Sequence, residues 1–119
     1  MKHVEDRIHR AIANLLYSAE FYQKDFFFWH CPNGIQASKK QGAKFKAMGM
    51  RAGIPDIIIL TRRKICFIEL KTEKGYLSKN QKRVKAIIER LGWPYYTIKT
   101  DCKYEACREV ERILNEVRA

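Results

Sequence analysis

The sequence predicts an α/β protein, a mixed sheet with helices packed on it. Three observations predict this class. Residues 56–61 (DIIILT) and 64–71 (KICFIELK) are rich in β-branched side chains, and only Arg62-Arg63 separates them, so they read as a hairpin. A capped helical stripe over 78–91 stands between that hairpin and a further strand at 95–100, as a parallel crossover requires. Amphipathic stretches at both ends supply helices to cover the sheet. The order read is α-β-β-β-α-β-α, in one domain spanning residues 1–119.

Each element has its own warrant. The first helix is expected over 3–17, where Val4, Ile8, Ala11, Ile12, Leu15 and Leu16 recur at helical spacing. Phe26 to His30 (FFFWH) is short and aromatic, which favours a strand. Residues 32–54 carry Pro32, Asn33, Gly34, Gly42, Gly49 and Gly53 and read as loop, with room for a short helical turn. The hairpin turn lacks Asn-Gly or Asp-Gly, so its local chemistry is weak. Ser78 caps the central helix; Val84, Ile87, Ile88 and Leu91 form its stripe; Gly92 and Pro94 end it. The last helix is expected over about 103–117, with Tyr104, Cys107, Val110, Leu114 and Val117 on one face.

Charge narrows the function classes. The net charge is +11, and its distribution is uneven. No Asp or Glu occurs from Phe26 to Pro55, while Lys39, Lys40, Lys44, Lys46 and Arg51 fall inside. A second basic cluster comprises Lys74, Lys79, Lys82, Arg83 and Lys85. Such a field attracts polyanions, nucleic acid first among them; a solubilising surface is the plainer alternative. No apolar run approaches the roughly 20 residues of a membrane span, so no membrane partner is expected. The charged start (MKHVEDRIHR) has no apolar signal core, which favours a cytoplasmic location. Cys31, Cys66, Cys102 and Cys107 lack zinc-site spacing and are expected as free thiols.

The hairpin poses the chemical question. With its turn centred on Arg62-Arg63, residue 60 faces 65, 58 faces 67, and Asp56 faces Glu69. Directly opposed Cβ atoms lie about 4.5–5.5 Å apart, where like charges repel. Lys71 projects from the same strand face as Glu69 and offers one compensating cation; a divalent metal would offer more, since Mg²⁺ is commonly held by one or two carboxylates. A surface ion-pair cluster of Asp56, Glu69 and Lys71 is the alternative. Against it, Ile58, Leu60 and Phe67 share that face, so most of it is expected to be buried.

These residues resemble a known pattern. Gly53-Ile54-Pro55-Asp56, twelve intervening residues, then Glu69-Leu70-Lys71 looks like the PD-(D/E)XK nuclease signature. Within that superfamily the chain resembles the VRR-NUC group, the virus-type replication-repair nucleases. It has Glu5 on the first helix, HCPNG at 30–34, KFKAMGMRAGIPD at 44–56, IELK at 68–71 and SKNQ at 78–81, in the group's order. The resemblance implies a restriction-endonuclease-like core and Mg²⁺ or Mn²⁺ as cofactor. It implies Asp56, Glu69 and the Leu70 carbonyl as metal ligands, and Glu5 near the metal through water. Lys71 would orient the attacking water, and Gln81 would brace the site. It also implies a homodimer acting as an endonuclease on branched or structured DNA. The basic clusters flank the site in sequence, so phosphate contacts are expected from Lys39, Lys40, Lys44, Lys46, Arg51, Lys74, Lys79 and Lys82.

Plainer readings stand beside these. Glu5 suits the dipole of a first helical turn, and Ser78-x-x-Gln81 is also a capping box. His30 is either a DNA contact or a strand-end residue with a satisfied ring. A non-catalytic basic DNA-binding module on the same fold is the alternative function, and nothing in the sequence separates RNA from DNA.

Overall fold

The computed structural model describes residues 2–32 and 38–119. In chain order it contains α1 (Lys2–Gln23), β1 (Phe26–His30), α2 (Lys39–Ala47), β2 (Ile57–Thr61), β3 (Ile65–Lys71), α3 (Lys79–Arg90), β4 (Tyr95–Lys99) and α4 (Lys103–Arg118). The four strands form one sheet in the order β1-β2-β3-β4. β1–β2 and β2–β3 are antiparallel; β3–β4 is parallel, with α3 as the crossover. This is the mixed sheet that the sequence predicts.

The element order needs one correction. A nine-residue helix, α2, lies between the first two strands, where the sequence suggested loop with at most a turn. It starts at a capping box, in which the Ser38 side chain accepts the Gln41 N–H and the Gln41 side chain accepts the Ser38 N–H. It buries no residue, so no apolar stripe announces it. The Asn33-Gly34 turn pair lies outside the described residues.

The core sits on one face of the sheet. Ile8, Ile12 and Leu16 of α1 and Ala106, Val110, Ile113, Leu114 and Val117 of α4 close over Phe26, Phe28, Ile57, Ile59, Cys66, Ile68 and Ile98. The sheet residues alternate in sequence, as one pleated face requires. Each fully buried aliphatic side chain contributes about 1.5–3 kcal/mol, so this layer dominates stability. α1 runs six residues beyond its expected end at 17; Tyr17, Phe21 and Tyr22 are exposed, and the apolar periodicity therefore stops before the helix does. Ala19 still packs on the core, and Arg118 bridges to Asp25 at 2.8 Å, tying the end of α4 beside the end of α1. In α4 the buried stripe includes Ala106 and Ile113, while Tyr104, expected inward, is exposed.

The opposite face is open, contrary to expectation. Ile58 and Phe67 are half-buried, Leu60 is exposed, and so are Phe27 and Trp29 of β1. α3 is the helix on this side: Lys85 reaches over the Tyr95 ring on β4, and Ile88 is the helix's buried residue. Leu91, placed in the α3 stripe by spacing, is exposed. The hairpin register matches the reading from sequence, with Ile57 opposite Ile68, Ile58 opposite Phe67 and Leu60 opposite Ile65. Its turn closes without Asn or Gly because the Thr61 hydroxyl accepts the N–H groups of Arg63 and Lys64. The four cysteines are all free, with Cys66 buried in β3.

Candidate active site

Asp56 stands one residue before β2, at the end of a tight approach. Gly53 has φ +87°, and a Cβ there would lie 2.6 Å from the Asn80 carbonyl carbon, so only glycine lets this segment touch the start of α3. Pro55 is fully buried behind it. The Asp56 carbonyl accepts two donors, the Cys31 N–H at 2.8 Å and His30 Nδ1 at 2.9 Å. A carbonyl only accepts, so Nδ1 of His30 carries the proton. One ring nitrogen of His30 is therefore satisfied by backbone, as the second of its two sequence readings requires. On the other side, Asp56 Oδ2 accepts the Leu70 N–H at 2.7 Å.

Glu69 follows from the continued register, across from Asp56. Its side chain is 2% exposed. Oε2 lies 3.5 Å from Lys71 Nζ and accepts Gln81 Nε2 at 3.2 Å. Oε1 is enclosed and has no hydrogen-bond partner. Burial, then the neighbouring Asp56 carboxylate, push the Glu69 carboxyl up to about 8; the Lys71 ammonium opposes this only in part. The Tyr95 hydroxyl is also buried without a partner, and burial followed by the same two carboxylates pushes its phenol up.

Gln81 does two things with one side chain. Its Oε1 accepts the Ser78 N–H at 2.8 Å, completing the α3 capping box, while Nε2 reaches Glu69. The cap and the site are therefore coupled rather than alternative roles.

Asp56, Glu69, Leu70, Lys71, Gln81 and Glu5 all line one cleft of about 330 Å³. Every residue placed in the centre by sequence thus meets there, with Glu5 contributed by α1. Lys39, Lys40, Lys44 and Lys46 are exposed on α2, Arg51 follows, and Lys74, Lys79 and Lys82 are exposed around the start of α3. Sequence reading missed His9, Thr72 and Thr100 on the cleft wall. His9 had a signal: it is four residues after Glu5, one helical turn along the same face. Burial pushes its imidazole down, and the His30 ring packs against it edge to face at 4.1 Å.

The donor set suits a hard divalent cation. Two carboxylates and a strand carbonyl offer only oxygen, and the enclosed, undonated Glu69 Oε1 is an atom that such a cation would satisfy. Among the described residues, no three His, Cys, Asp or Glu side chains group closely enough to hold an ion alone. An ion bound here would therefore complete its shell with backbone, water or substrate oxygens, as Mg²⁺ commonly does.

Comparison with known proteins gives the fold and the family. No curated protein matches the chain significantly. A solved structure titled "VRR_NUC domain protein" is 23% identical, with TM-score 0.68, covering 94% of this chain and 88% of its own. Hjc of Archaeoglobus fulgidus, a Holliday junction resolvase, is 21% identical with TM-score 0.45, over 77% of this chain and 68% of its own. The VRR-NUC domain profile matches residues 4–108. The chain belongs to the VRR-NUC family of PD-(D/E)XK nucleases.

Proposed function

We propose that this nuclease is a divalent-metal-dependent DNA endonuclease. One observation carries the reading: Asp56 and the buried, under-donated Glu69 converge on a cleft that also holds Lys71. Burial and the crowding Asp56 carboxylate raise the proton affinity of Glu69, which costs stability unless a cation satisfies it. Asp56, Glu69 and the Leu70 carbonyl would hold Mg²⁺ or Mn²⁺. A dication there supplies Lewis acidity at a phosphoryl oxygen and acidifies a bound water.

The chain's own residues supply the rest. Lys71 Nζ stands 3.5 Å from Glu69 Oε2, where it orients the attacking water and offsets charge growing on the phosphate. Gln81 Nε2 holds Glu69 Oε2, which leaves Oε1 for the ligand role. Glu5 faces the same cleft from α1 and acts through water. The lysines of α2, with Arg51, Lys74, Lys79 and Lys82, hold the phosphate backbone on either side of the cut. Such contacts position the strand without reading its sequence.

Membership of a replication-repair family supports branched or structured DNA as substrate. A homodimer suits such substrates, because two symmetric sites match a two-fold junction. The test is incubation with supercoiled plasmid and labelled branched DNA, with Mg²⁺, Mn²⁺ or EDTA, beside Lys71→Ala. Metal-dependent nicking that the variant loses supports the reading. Nicking that survives EDTA overturns metal dependence. Tight DNA binding with no cutting under any metal leaves the non-catalytic module. A scattering mass near the 14.1 kDa of one chain removes the dimer.

A further inference from the structure

A second cleft, about 360 Å³, runs between α1 and β1 beside the first. The two clefts share His9. Asp6, Arg10 and Tyr17 line the second from α1, and Phe28 and His30 line it from β1. Its aromatic wall is braced. The Tyr17 ring meets Phe28 edge to face, with centroids 4.7 Å apart, yet Tyr17 is 65% exposed. Phe21, one turn further along α1, is 70% exposed and extends the same helix face. A held ring with an open face is a platform on which any base can stack.

The polar wall complements it. Arg10 is exposed and lines the cleft together with Asp6. His9 Nε2 is enclosed and has no hydrogen-bond partner. Its ring is fixed against His30, which is itself bonded to the Asp56 carbonyl. The aromatic platform therefore reaches the carboxylate cleft through two imidazoles held in place.

We propose that this cleft seats an unpaired nucleotide of the strand being cut, its base on Tyr17 and its phosphate at Arg10. The proposal rests on the nuclease reading of the adjoining cleft and adds a preference to it. Bases stacked within a duplex have no free face to offer Tyr17, so unpaired strand next to the cut is favoured over blunt duplex.

The test measures fluorescence anisotropy of labelled oligo-dT and of a blunt duplex, in EDTA, for the parent, Tyr17→Ala, Tyr17→Trp and Arg10→Ala. Tyr17 and Arg10 are exposed, so truncation leaves the core intact. Tyr17→Ala is expected to weaken single-strand binding about tenfold while duplex binding stays within about twofold, and Tyr17→Trp retains single-strand binding. Arg10→Ala is expected to weaken single-strand binding more than duplex binding. Unchanged single-strand affinity in both alanine variants overturns the proposal, as does equal loss on both substrates. A drop in light-scattering mass on Tyr17→Ala also overturns it, because the aromatics then cover a second copy of the chain. Plasmid nicking by the parent is scored separately. Nicking without strand selectivity removes this cleft alone; selectivity without nicking removes the metal-dependent chemistry and keeps the cleft.

Discussion

The Leu70 N–H donates to Asp56 Oδ2 at 2.7 Å, so the carboxylate preceding β2 is fastened to the strand that carries the other carboxylate. The bond fixes the distance between two groups that would otherwise repel. Asp56→Asn keeps an oxygen for that N–H but removes the charge. Stability should change by no more than about 1 kcal/mol, since a hydrogen bond remains. The Glu69 carboxyl should fall towards its ordinary range, because one cause of its elevation is gone. Nicking should fall at least ~100-fold, the order seen when one charge-stabilising group is lost. NMR titration of Glu69 and a gel assay check the two halves; an Asn variant that cuts at the parental rate contradicts the assignment.

Glu69 also sets a pH dependence. Its folded value is about 8 against an ordinary 4.5. Between these the folded chain holds a proton that the unfolded chain has lost, so stability falls as pH rises through the window. His9, pushed down by burial, works in the opposite sense at acid pH. The slope is therefore read as parent minus Glu69→Gln. In EDTA that difference should decline between about pH 5 and about pH 8, by several degrees in melting temperature. Mn²⁺ should reverse the trend, because it binds the deprotonated ligand. A difference that grows with pH in EDTA contradicts the elevated carboxyl.

The shared duty of Gln81 can be split by mutation. Ser78→Ala removes one cap oxygen and should cost about 1 kcal/mol with nicking retained. Gln81→Ala removes the other cap partner and also the donor to Glu69. It should cost a similar amount of stability but lower kcat about tenfold or more, with KM little changed. Equal kinetics in the two variants, measured under single-turnover conditions, would reduce Gln81 to a helix cap.

α2 buries nothing, so its lysines can be removed without touching the core. If Lys39, Lys40, Lys44 and Lys46 contact phosphates, each alanine substitution should lower the slope of log affinity against log salt by about 0.9 and weaken all sequences alike. Melting temperature should stay constant. An unaltered slope in the fourfold variant would place the DNA elsewhere.

Much of this is legible in the sequence. The hairpin register followed from two β-branched runs with only two residues between them, and it carried Asp56 to Glu69. Other features depend on what a single chain position does not reveal. α2 escaped because a helix that packs on nothing needs no apolar stripe, and Gly42 further disguised it. The open sheet face is not legible because Ile58, Leu60 and Phe67 on one strand face predict cover, whereas α3 shields the β4 side and leaves Leu60 and Trp29 in solvent. Glu69 is buried all the same, because Gln81, Lys71 and the Gly53–Asn80 contact close around it locally. His9 could have been found from its one-turn spacing to Glu5. Its enclosed nitrogen could not, since that depends on β1 folding against α1.

The central claim is that Asp56 and Glu69 jointly hold one dication. Anomalous scattering from crystals soaked in Mn²⁺ tests it most directly. The expected result is a peak within about 2.5 Å of oxygens from both carboxylates, absent in Asp56→Asn. An active protein whose Mn²⁺ peak lies outside this cleft, or on one carboxylate alone and unchanged by that substitution, would contradict it.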